Sequence, residues 1–173
     1  MPSRLLLALL CLTPLAVSAA APVTLRVMSY NIHHAEGLDG RLDVERIARM
    51  IRDARADLVG LQEVDRGVAR TAQRDLPAEL AKLTGLHAVF EKNIAHQGGD
   101  YGNAVLSRFP IKRAKNTHLK MIGQGEQRGL QQVVLDVQGR EVLFLNTHLD
   151  QRRETAERDH SAGEIRQIVA AAG

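Results

Sequence analysis

The chain has 173 residues, 45% hydrophobic and 25% charged, with a formal net charge of +3. That is enough for one domain with a core, and too mild a basicity to require an anionic partner. Trp is absent, aromatics make up 3%, and the one cysteine is Cys11. These counts argue against base-stacking platforms for single-stranded nucleic acid, and against thiol catalysis or thiolate metal sites beyond the N-terminal segment.

Arg4, the apolar stretch "LLLALLCLTPLAV" and the small-residue stretch "SAAAP" read as a secretory signal over residues 1–20. Cleavage is expected within Ala19–Ala21, leaving one domain over 21–173 that is periplasmic or secreted. The apolar run is too short for a stable membrane span. Leu10 before Cys11 argues against a lipoprotein.

"TLRVMSYNI" then reads as a strand. Asp43 is a helix N-cap, followed through about Ala54 by the apolar stripe Val44, Ile47, Ala48 and Ile51. "DLVGLQEVD" is a buried strand whose apolar run closes on a carboxylate, Glu63. "DLPAELAKLTG" places an N-cap at Asp75, Pro77 in the first turn and Gly85 as a stop. "HAVFEKNI", "YGNAVLSRFPI", "GLQQVVLDV" and "EVLFLNTHL" are further strands, the last two joined by the tight turn "QGR". "ETAERDHSAGEIRQIVAAAG" reads as a terminal helix. The pattern is α/β or α+β, helices early and antiparallel strands later.

Polar groups gather where apolar strands end. Asn31 closes the first strand, Glu63 the second, and His148 and Asp150 the last. Tyr101 and Asn103 open another, and Arg128 precedes "GLQQVVLDV". A carboxylate beside a side-chain carbonyl is hard-oxygen ligation suited to Mg²⁺ or Mn²⁺. A neighbouring His and Arg would stabilise charge on a phosphoryl group. Each residue also admits a plainer role: His148 as a structural histidine, Tyr101 as packing, Arg128 as a solvated charge, Asn31 as a turn former, Glu63 as a strand-end charge. "GxSxG" and "HExxH" are absent. His33 and His34, as neighbours on a strand, would point to opposite faces and could not share a metal. Arg108, Lys112, Arg113 and Lys115 form a modest basic cluster, most simply a solvated face.

The ordered set "MSYNI", "DLVGLQEVD", "YGNAVLSRFPI", "EQRGL" and "NTHLD" resembles the endonuclease/exonuclease/phosphatase superfamily, which includes deoxyribonuclease I. The resemblance implies a DNase I-like αββα sandwich and divalent-metal hydrolysis of a phosphoester in nucleic acid, a lipid head group or an inositol phosphate. It makes Glu63 and Asn31 metal ligands and His148 the residue on the scissile phosphate, with Tyr101 beside it in catalysis. Arg128, Asn103 and Asp150 hold substrate. The family's later "GDxN" and C-terminal "DH" motifs do not occur in their expected settings. The chain is therefore expected to match the N-terminal portion of the domain, as one sheet with flanking helices. Poor activity alone is expected, as is an exposed sheet face open to association. The rival reading is an exported binding module that keeps the fold without the chemistry.

Overall fold

A computed structural model describes residues 22–171, so the signal-segment reading and Cys11 lie outside the described residues. The chain runs through strand β1 (Val27–Asn31), helix α1 (Val44–Ala54), β2 (Leu58–Arg66), α2 (Leu76–Thr84), β3 (His87–His96) and β4 (Gly99–Ser107). It continues through β5 (Ile111–His118), β6 (Gly129–Val137), β7 (Arg140–Thr147) and α3 (Ala156–Ala170). Short 3-10 turns lie at His33–Ala35 and Ala69–Thr71.

The strands form two sheets, one ordered β1-β2-β4-β3 and the other β5-β6-β7. The expected sandwich is present, but the expectation of a single sheet is corrected. The difference lies in one segment. "YGNAVLSRFPI" is not one strand, because the chain leaves the first sheet at Arg108–Pro110 and enters the second as β5. Pro110 cannot donate to a ladder, and Ser107 Oγ closes the corner by accepting from Phe109 N–H at 2.9 Å. β5 hid from the sequence reading because only Ile111 and Ala114 among its residues pack toward the core.

Two apolar clusters hold the layers. Val44, Ile47, Ala48 and Ile51 of α1, with Leu76 and Leu80 of α2, pack on Val59, Leu61 and Val64 of β2 and on Ala104 and Leu106 of β4. Asp43 and Asp75 cap the two helices through their side chains, as the sequence predicts. Between the sheets, Leu58, Val105 and Phe109 meet Val133, Leu135 and Val137.

The inter-sheet layer is not wholly apolar. Asn146 of β7 points at the first sheet. Its amide NH₂ lies 3.0 Å from the carbonyls of both Leu61 and Ala104, and 3.1 Å from Gln131 Oε1. Its own oxygen accepts from Gln62 Nε2 at 2.8 Å. A Cβ on Gly60 would stand 2.9 Å from that oxygen, so the approach requires glycine there.

Leu61 and Ala104 are the last regular pair before a bulge, after which Val64 pairs with Gly102. The bulge shifts the alternation of β2. Val59 and Leu61 face the helices, but Val64 rather than residue 63 takes the next position on that side. Glu63 is the extra residue, with left-handed backbone at φ 58°. It therefore lies within β2, not at its tip as the sequence reading placed it, and the bulge re-aims its side chain.

Asn146→Ala should cost about 2–4 kcal/mol, since it removes the buried bonds to the Leu61 and Ala104 carbonyls, to Gln131 Oε1 and from Gln62 Nε2. Urea unfolding measures this, and a loss below about 1 kcal/mol would show that the sheets do not depend on the seam.

Candidate metal and phosphate site

Four segments converge on Glu63. β1 runs parallel to β2 as far as Asn31 opposite Gln62, which sets Asn31 beside the bulge. Asn31 Nδ2 donates to Glu63 Oε1 at 2.7 Å, and its oxygen accepts from His33 N–H at 3.0 Å. In this arrangement Asn31 holds the carboxylate, and its oxygen keeps one lone pair for an ion.

His148, just past the end of β7, brings Nε2 to 3.7 Å from Glu63 Oε1. Arg128 lies directly behind it, with Nη1 3.1 Å from His148 Nδ1. A guanidinium can only donate, so Nδ1 accepts and the ring proton sits on Nε2, facing Glu63. Burial, and then the Arg128 charge, hold the His148 pKa below its ordinary value, so the ring is neutral near pH 7. Arg128 is only 4% exposed. It is bound on its other sides by the Glu126 carboxylate and by Gln151 Oε1 at 2.6 Å. Its Nε is buried without a partner.

Tyr101 is buried, and burial followed by the Glu126 and Glu63 charges pushes its pKa far up, so it acts only as a protonated phenol. Its ring lies 5.3 Å from the Arg70 guanidinium, which is clamped by Asp65 through two bonds of 2.8 Å. Asn103 is fully buried on β4, with neither amide atom partnered. Asp150 is engaged through both carboxylate oxygens by Arg152 at 2.9 and 3.0 Å, which pulls its pKa down. The structure thus joins Glu63, Asn31, His148 and Arg128 into one contact chain, with Tyr101 close enough to feel the Glu63 charge. It gives Asp150 a partner of its own.

The basic cluster is largely neutralised. Lys112 and Arg113 pair with Glu141, and Arg108 pairs with Asp57.

Four participants escaped the sequence reading. Asp65 closes the very stretch that drew attention to Glu63, and Glu126 opens "EQRGL". Both were readable as charges within the motif segments. Arg70 sits in the short 3-10 turn at Ala69–Thr71 and Gln151 in the loop after β7, neither with a periodic signal.

The reading of His33 and His34 is corrected outright. The strand stops at Asn31, and the two residues lie in a 3-10 turn at φ 45° and 43°. Strand alternation therefore does not apply, and the ring centroids are 4.3 Å apart. One ring nitrogen from each and one Glu63 carboxylate oxygen lie within 4.8 Å of one another. His34 is buried, and burial followed by the Arg70 charge lowers its pKa.

Known proteins resemble this chain in sequence and in fold. The family model described as the PGAP2IP C-terminal nuclease-like domain matches residues 23–173. A 5'-tyrosyl-DNA phosphodiesterase of Caenorhabditis elegans is 33% identical over 131 residues, 74% of this chain. This chain spans 32% of that relative's length. Among solved structures, an endonuclease/exonuclease/phosphatase from Beutenbergia cavernae superposes with a TM-score of 0.65 at 29% identity, covering 84% of this chain and 43% of that one. A family member from Bacteroides thetaiotaomicron reaches a TM-score of 0.70 at 20% identity over 89% of this chain and 61% of its own, which speaks to the fold. On these matches the chain belongs to the endonuclease/exonuclease/phosphatase superfamily, within the family of PGAP2IP C-terminal nuclease-like domains.

Proposed function

We propose that this chain carries the metal and phosphate site of an exported hydrolase that cleaves phosphoesters with a divalent cation, Mg²⁺ or Mn²⁺, at Glu63. The observation that carries the reading is the carboxylate lifted onto a bulge, with Asn31 on one side and the neutral, Arg-backed His148 on the other. The donor set fits such an ion, because it offers a carboxylate and a side-chain carbonyl, both in contact with solvent. A bound ion supplies Lewis-acid polarisation of a phosphoryl oxygen.

The chain's own groups do the rest. His148 presents Nε2–H to a second phosphoryl oxygen. Arg128 fixes that tautomer and adds positive charge behind it, and Tyr101 contributes a phenol that stays protonated. The phosphodiesterase named among the relatives supports a phosphodiester over a monoester. Glu141 and Asp57 neutralise most of the basic cluster, which favours binding through the reacting phosphate over tracking along a duplex. Export rests on the N-terminal sequence. Among the described residues no helix is long and apolar enough to cross a membrane.

Calorimetric titration of the chain with Mg²⁺ or Mn²⁺ should show one site that Glu63→Gln weakens by at least about tenfold. Uptake that ignores Glu63 overturns the reading. Arg128→Gln should leave metal uptake in place and reduce hydrolysis of bis(4-nitrophenyl) phosphate by about a hundredfold relative to the unaltered chain. Equal rates for the two proteins would remove Arg128 from the phosphate site.

A further inference from the structure

His33 and His34 have no part in the function proposed above, yet one ring nitrogen of each lies within 4.8 Å of a Glu63 carboxylate oxygen. Both rings are held by one residue. His33 Nδ1 is 3.2 Å from the Glu36 carbonyl oxygen, and His34 Nε2 is 3.3 Å from Glu36 Oε2. A carbonyl and an ionised carboxylate can only accept, so each contact puts the ring proton on the nitrogen that makes it. The nitrogens left as lone pairs are Nε2 of His33 and Nδ1 of His34.

The second of these is unusual. His34 is 7% exposed, and its Nδ1 is buried with no partner. A buried acceptor without a donor is costly, and a cation is one group that satisfies it. One nitrogen bound to a carboxylate or carbonyl and the other left free is how metal-binding histidines are normally oriented. The backbone is held for the purpose by three successive left-handed residues, His33, His34 and Ala35. The third group within 4.8 Å is Glu63 itself, and Asn31 already spends its amide on that carboxylate.

We propose that the ion held by Glu63 is shared with His33 and His34, a two-histidine, one-carboxylate set that selects a first-row transition ion such as Mn²⁺ over Mg²⁺. Imidazole nitrogen favours such ions, whereas Mg²⁺ prefers oxygen throughout. The inference rests on the reading that Glu63 binds a cation, and it adds which cation and through which neighbours.

Electron spin-echo spectroscopy of Mn²⁺ bound to the full chain reads directly coordinated ¹⁴N without reference to activity. The expected result is nitrogen modulation that weakens in His33→Gln and in His34→Gln and persists in His148→Gln. Because His33 is exposed, its variant tests the idea even if the buried His34 variant fails to fold. In parallel, His33→Gln should lower Mn²⁺ affinity by about tenfold and leave Mg²⁺ affinity unchanged. Glu63-dependent Mn²⁺ uptake without coordinated nitrogen overturns this inference and leaves the proposed function standing. So does a nitrogen signal lost only in His148→Gln. Absence of any Glu63-dependent uptake overturns both.

Discussion

The amide of Asn146 is the contact on which the rest of the structure depends. It reaches from one sheet to the other and takes up the carbonyls of Leu61 and Ala104, the last regular pair before β2 bulges. An apolar residue there could pack the sheets together, but it would take the Asn146 donor away from both carbonyls at the place where β2 bulges. One side chain thus joins the layers and secures the kink that turns Glu63 toward the cleft. Gly60 is the complement on the facing strand, since any side chain would push the amide away.

A second bulge, between Lys92 and Ile94 of β3, lies across β4 from the first, and both flank Gly102. A Cβ on Gly102 would stand 2.0 Å from the Glu91 carbonyl. Paired bulges on both neighbours of one strand bend that end of the sheet and loosen its hydrogen bonding. The freed polar groups and the charged side chains collect on the same rim. Arg128 shows how a nearly buried charge is accommodated there, through the Glu126 carboxylate on its own loop and the His148 imidazole nitrogen and Gln151 amide oxygen just past β7.

Much of this was legible in the chain. The capped helices follow from periodicity, and the sandwich fold and the placement of Asn31, Tyr101, Arg128 and His148 near strand ends from motif order; that the chain holds both sheets did not. The bulge was half legible, because Val64 follows Glu63 where alternation from Val59 and Leu61 calls for an apolar residue one position earlier. The seam was not, because Gln62, Gln131 and Asn146 are residue types that composition assigns to the surface and only a facing sheet buries. His33 and His34 were misread for a related reason, since strand alternation was carried through His34, three residues past the point where β1 stops. β5 was missed because its outward face is so polar that no alternation shows.

The order in which the chain builds its layers has a further consequence. The cluster beneath the helices is completed by residues numbered 28–106, all before the Pro110 corner. The seam and the arginine behind His148 come entirely from segments beyond it, or bridge the two. A partial opening that lifts the second sheet would therefore carry His148 and Arg128 away while the first layer keeps its helices and Glu63. Occupancy of the proposed phosphate site would thus report on the docking of two layers, and that of the proposed metal site on the first layer alone.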